Sequence, residues 1–121
     1  MKKIFLYEPD AGIFEVIFLA LLDKGYQTLR LPDPGHSGFK RMLLRDRPEV
    51  VIADHFLDVS NSTKLCSSIK TVLPEVAIIA TSCNHDIEET YHQLGFDDYI
   101  RKPFDLRILF KTVSSNIKQK V

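Results

Sequence analysis

Surplus charge is what this chain conspicuously lacks: sixteen lysines and arginines balance sixteen aspartates and glutamates over 121 residues. A neutral chain has no electrostatic footprint for general attraction to nucleic acid or anionic lipid, so no direct nucleic-acid partner is expected and any partner is recognised locally. Cysteine is scarce too. Cys66 and Cys83 make neither a CxxC pair nor a metal-ligand spacing, and they read as reduced thiols of a cytoplasmic protein. Long apolar runs are missing as well. The longest, Val16-Ile17-Phe18-Leu19-Ala20-Leu21-Leu22, lies between Glu15 and Asp23 and falls far short of the roughly 20 residues that span a bilayer. It is expected to be a buried helix, with no membrane contact.

Other absences narrow the function. Met1-Lys2-Lys3 is basic, but Glu8 and Asp10 interrupt the apolar region at once and no small-residue cleavage site follows, so no secretory signal is expected here. Without secretion the glycosylation triplet Asn61-Ser62-Thr63 has no meaning. No Gly-rich or Ser/Thr-rich phosphate loop follows the first apolar run, which weighs against a flavin carrier. His36, His85 and His92 have no metal spacing, and His55 reads as a loop residue facing away from its neighbour Asp54. No nucleophile-base pair appears, so an enzyme is not expected.

What is present is a five-fold alternation of strand-like and helix-like segments. Ile4-Phe5-Leu6-Tyr7 is a continuous apolar run, as a strand covered on both faces requires, and a helix pattern follows over about 11–24. A weaker strand at 26–31 leads through a turn to a helix over 37–45, with Phe39, Met42 and Leu43 at core spacing. The third unit pairs a strand at 49–53 with a helix at 63–73, stopped by Pro74. The fourth pairs 76–80 with a polar helix at 86–94, and the fifth pairs Tyr99-Ile100 with a helix from about Asp105 to Ile117. Short connections and right-handed crossovers make this one α/β domain over residues 1–121: a three-layer sandwich, with a five-stranded parallel sheet flanked by five helices.

Such a sheet delivers the last residue of every strand to one edge, where ligands bind. Asp54, Thr81 and Lys102 each follow or end an apolar run, so a carboxylate, a hydroxyl and an ammonium converge there. That is a phosphoryl site in outline. Taken singly each residue has a plainer role: Asp54 as a turn former or helix cap, Thr81 as a strand-end hydroxyl bonded to backbone, Tyr99 as a half-buried strand aromatic.

The segments Pro48-Glu49-Val50-Val51-Ile52-Ala53-Asp54, Ile78-Ile79-Ala80-Thr81-Ser82 and Gly95-Phe96-Asp97-Asp98-Tyr99-Ile100-Arg101-Lys102-Pro103-Phe104-Asp105 carry a resemblance. Over nearly its whole length the chain resembles the receiver domain of two-component response regulators, a flavodoxin-like fold. The resemblance implies that Asp54 accepts a phosphoryl group from a histidine kinase or histidine phosphotransfer protein. It implies that Thr81 and Lys102 bind that group and that Thr81 and Tyr99 form the switch. It implies that Pro103 holds the backbone past the lysine through a cis peptide bond. It implies a partner surface or homodimer formed by the fourth helix, fifth strand and last helix. It also implies a magnesium ion held by Glu8, Asp54 and the backbone carbonyl of Phe56.

This chain departs from the pattern where it matters most for the metal. Receivers usually place two adjacent acidic residues after the first strand, whereas here the pair is Glu8-Pro9. A missing unit charge about 4 Å from the ion, at an effective dielectric near 20, removes on the order of 4 kcal/mol before screening. Magnesium binding is therefore expected to be weak. Proline keeps Glu8 extended, so Glu8 and Asp10 would point the same way and Asp10 is a substitute ligand. The competing reading, which the sequence favours, is that Asp10 caps the first helix. Asp58, where proline is frequent, and Asn61-Ser62, where a pair ending in glycine is frequent, are further departures. The expected function is thus a phosphoacceptor module of a phosphorelay, with a phosphorylation-independent pseudo-receiver as the alternative. The chain stops soon after the last helix, so it is expected to be a stand-alone receiver or one cut from a longer protein.

Overall fold

A computed structural model gives the architecture; it describes residues 1–55 and 59–117. Five strands, β1 (Lys2–Tyr7), β2 (Tyr26–Arg30), β3 (Val50–Asp54), β4 (Ala77–Ser82) and β5 (Asp98–Arg101), form one parallel sheet in the order β2-β1-β3-β4-β5. Between and after them lie α1 (Ala11–Asp23), α2 (Phe39–Asp46), α3 (Val59–Val72), α4 (Ile87–Leu94) and α5 (Leu106–Ser115). The order reverses at β1 and β3, which makes the crevice between their carboxyl ends the natural place for a ligand.

The two-residue period of the strands sorts side chains to the two faces. Phe5, Val51, Ala53, Ile78 and Ala80 pack on one side against Phe39 and Leu43 of α2, Leu65, Cys66 and Ile69 of α3, and Ile87 and Leu94 of α4. Ile4, Leu6, Val50, Ile52 and Ile79 pack on the other against Ile17 and Leu21 of α1 and Leu109 and Val113 of α5. Strands covered on both faces need the near-continuous apolar runs seen at β1, β3 and β4. Burying each such Ile, Leu or Val removes about 1.5–3 kcal/mol of exposed apolar cost, and this drives the layers together.

Local chemistry fixes the helix ends. The Oδ1 of Asp10 accepts from the N–H of Ile13 at 2.9 Å, and that of Asp105 accepts from the N–H of Ile108 at 3.0 Å, so each aspartate caps the helix it precedes. Gly95 ends α4 with φ +104°, a conformation that side chains strain to adopt. Near the opposite edge of the sheet Lys70 of α3 clips the chain to Asp97, whose Oδ2 also accepts from the N–H of Ile78.

One expectation is corrected. The apolar run of α1 is not a buried helix all round: Ile17 and Leu21 are buried, whereas Val16 and Leu19 keep 56% and 54% of their surface exposed. A helix lying on a sheet packs one stripe only, and no element among the described residues covers the other flank of α1. No helix among the described residues is long and apolar enough to cross a membrane.

Candidate functional site

Parallel pairing places the first two site residues. Asp54 and Thr81 end a run of paired positions between β3 and β4 and are themselves direct partners in register. β1 pairs with β3 up to Tyr7 and Ala53, so the next residue along, Glu8, emerges beside Asp54. β5 continues alongside β4 past its last residue: the N–H of Lys102 donates to the carbonyl of Ser82 at 2.8 Å. The ends of β3 and β4 and the residues just beyond β1 and β5 thus meet at one edge, which brings Asp54, Thr81 and Lys102 together.

Lys102 is the centre of the cluster. Its ammonium donates to Oδ1 of Asp54 and to Oε1 of Glu8, both at 2.8 Å. These ion pairs are shielded from water: the side chains of Glu8, Asp54 and Lys102 retain 3%, 12% and 14% of their exposure. Burial acts against the ammonium, but the hydrogen bonds to Asp54 and Glu8 outweigh it and hold Lys102 above the usual lysine range. The hydroxyl of the buried Thr81 approaches the same Oδ1 of Asp54 at 3.5 Å, the outer limit of a hydrogen bond. Oδ2 of Asp54 carries no hydrogen bond from the described residues.

Glu8 is committed at both oxygens, because Oε2 accepts from the backbone N–H of Asp10 at 3.1 Å. Asp10 is exposed and its carboxylate caps α1. Pro9 supplies no acid. Phe56, expected to offer a carbonyl, and Asp58 lie outside the described residues. The donors that the described residues present to a magnesium ion are therefore two carboxylates already bridged by an ammonium, and no group of three or more acidic, histidine or cysteine side chains able to hold a metal forms among those residues. Magnesium demands near-octahedral oxygen ligation at about 2.1 Å, and among the described residues both carboxylates that would meet it are paired with Lys102.

Tyr99 stands next to the site, in register with Ala80. Its ring packs on Tyr91 of α4 with centroids 5.0 Å apart. Burial, and then Glu88 beside its hydroxyl, raise its phenol above the ordinary tyrosine range. Glu88 is also paired with Arg101 at 3.4 Å, so α4 is tied to β5 at both Tyr99 and Arg101. The peptide bond between Lys102 and Pro103 is cis.

Sequence reasoning missed one partnership. His55 does turn from Asp54, but it is more than a loop residue: its Nδ1 lies 2.7 Å from the hydroxyl of the buried Ser62, its ring meets the edge of Phe96, and its N–H donates to the carbonyl of Thr81. The clue available was joint, a histidine directly after the acid together with a serine where glycine is frequent. The contact between Glu8 and Lys102 joins residues 94 positions apart and had no local signal.

No protein-family model matches the chain. Solved structures are similar over nearly its full length. A two-component response regulator from Clostridium difficile superposes with a TM-score of 0.78 at 19% identity, covering 96% of this chain and 95% of that one. A response regulator from Thermotoga maritima gives 0.81 at 21% identity, covering 98% and 99%. The chemotaxis response regulator CheY4 of Vibrio cholerae gives 0.79 at 18% identity, covering 97% and 99%. The chain has the receiver fold of response regulators, a flavodoxin-like sheet with five flanking helices.

Proposed function

We propose that this protein is a phosphoacceptor module of a phosphorelay, taking a phosphoryl group on Asp54 from the phosphohistidine of a histidine kinase or phosphotransfer protein. The observation that carries the reading is Lys102 and Thr81 both directed at Oδ1 of Asp54, at the sheet edge where a ligand belongs, while Oδ2 takes no hydrogen bond from the described residues. Phosphoryl transfer passes through a loose state with charge spread over three equatorial oxygens, so the protein mainly positions groups and neutralises charge. Oδ2 attacks phosphorus, the bond from phosphorus to the donor atom breaks, and the electron pair leaves with the donor. Lys102 stabilises the developing charge as a point cation, and Thr81 donates its hydroxyl to a phosphoryl oxygen.

Tyr99 is the reporter in this reading. When Thr81 closes over the phosphoryl group, Tyr99 leaves Tyr91 and Glu88 and fills the space behind the threonine. The surface formed by α4, β5 and α5 changes with it, by repacking between two states, and this surface meets the downstream partner or a second copy. The module turns over no substrate of its own, works in the cytoplasm, and contacts neither nucleic acid nor membrane.

Intact mass after incubation with acetyl phosphate tests the reading, beside an Asp54→Asn control. Addition of one phosphoryl mass that the control abolishes is the expected outcome. A phosphorylation-independent interaction module is the second reading, favoured by the Lys102 ammonium already pairing both Glu8 and Asp54. No addition from acetyl phosphate or from any histidine kinase, in folded protein, would leave that second reading standing.

A further inference from the structure

We infer that the resident cation of this site is the ammonium of Lys102, and that Asp54 takes its phosphoryl group without a divalent metal ion. The inference rests on the phosphoacceptor reading for the transfer step, but its cation-binding part stands on geometry alone. A receiver that uses magnesium needs its carboxylates facing an ion. Here Glu8 and Asp54 each face Lys102, at equal distances of 2.8 Å, and the ammonium stands between them.

Every route to a third acidic ligand is closed among the described residues. Pro9 has no side-chain donor, and Asp10 is exposed and spends its carboxylate on the N–H of Ile13. Glu8 is held from both ends, by Lys102 at Oε1 and by the N–H of Asp10 at Oε2, so it does not swing free to meet an ion. A divalent cation entering this space would have to displace the half-buried ammonium that pairs with the buried Glu8 and the half-buried Asp54, and the ammonium would lose both of its hydrogen bonds. The phosphoryl transfer itself balances without a metal. Oδ2 of Asp54 attacks phosphorus of acetyl phosphate, the bond between phosphorus and the acyl oxygen breaks, and acetate departs with the electron pair.

Titration of manganese(II), followed by the paramagnetic signal of the free ion, reads occupancy directly. Wild-type protein is expected to leave the signal unchanged at millimolar metal. Lys102→Gln frees both carboxylates and is expected to raise manganese affinity on the order of a hundredfold after screening. Stoichiometric binding to wild type that Asp54→Asn abolishes would overturn the inference, as would a folded Lys102→Gln protein that gains no affinity. Should that variant fail to fold, the wild-type titration decides the cation question by itself. For the transfer step, acetyl phosphate is expected to modify wild type equally with magnesium or with EDTA. Modification only with magnesium refutes metal independence, whereas no modification in either buffer, nor by any histidine kinase, refutes the phosphoacceptor reading and leaves the manganese result to judge the cation.

Discussion

Cys66 lies where α3 meets the end of α4, and burial there, the largest influence, pushes its thiol up to about 12. Cys83, one residue past β4, is exposed. Because the thiolate is the reacting form, iodoacetamide at pH 8 should modify one thiol per chain in the native state, with Cys66 reacting only after denaturation. Mass mapping of the two peptides checks this, and equal labelling in native buffer would mean that the contact between α3 and α4 opens readily. At the same scale, Lys102 differs in kind from the surface lysines. Strand order alone brought it to Asp54, but its second partner, Glu8, is a product of the three-dimensional path. Spacing along a chain predicts which strand ends share an edge, and it does not predict which of two carboxylates an ammonium will bridge.

Two helix ends carry backbone conformations whose costs differ in sign on substitution. At Gly95, with φ +104°, an added Cβ would stand 2.8 Å from Cβ of Cys66, so backbone strain and a collision fall on the same residue. Gly95→Ala should cost about 2–4 kcal/mol. Arg47, the residue that ends α2, is the reverse case, a side chain held at φ 44°. Arg47→Gly should gain about 0.5–1 kcal/mol, the relief of strain exceeding the extra freedom of the unfolded chain. Urea midpoints of the two variants measure both, and a Gly95→Ala protein as stable as wild type would mean that α3 yields without cost. Element boundaries were legible to the degree that apolar pattern set them. The helix expected from Thr63 begins at Val59, because Ser60, Asn61 and Ser62 look like loop until Ser62 is buried against His55. The strand expected to stop at Ala80 runs on to Ser82, because Thr81 pairs with Asp54 in register and Ser82 with Arg101. Hydroxyl residues carry no apolar signal, so tertiary pairing extended both elements beyond their reading. The half-exposed flank of α1 was illegible for the opposite reason: an apolar run announces burial whether or not a partner element exists to supply it.

For the molecule as a whole, the clearest proton-linked forces act on the alkaline side. Cys66 rises from 9.0 to about 12, Tyr7 and Tyr99 rise from 10.0, and Lys102 rises from 10.5. Burial comes first for Cys66 and the tyrosines; Tyr7 is then raised by Asp54, Asp33 and Glu8, whereas at Lys102 the two carboxylates overcome burial. In each case the folded protein keeps its proton at a pH where the unfolded chain has lost it. The unfolded state then binds fewer protons, so the stability from these groups is complete below their unfolded values and disappears as pH rises through the folded ones. Urea midpoints should therefore hold level from neutrality to about pH 9 and fall beyond it, first as Cys66 of the unfolded chain ionises and then as the tyrosines and Lys102 follow. Cys66→Ala should remove the earliest part of that fall while leaving the later part in place. A midpoint that stays level through pH 10.5 in wild type would show that Cys66 and the two tyrosines titrate alike in both states.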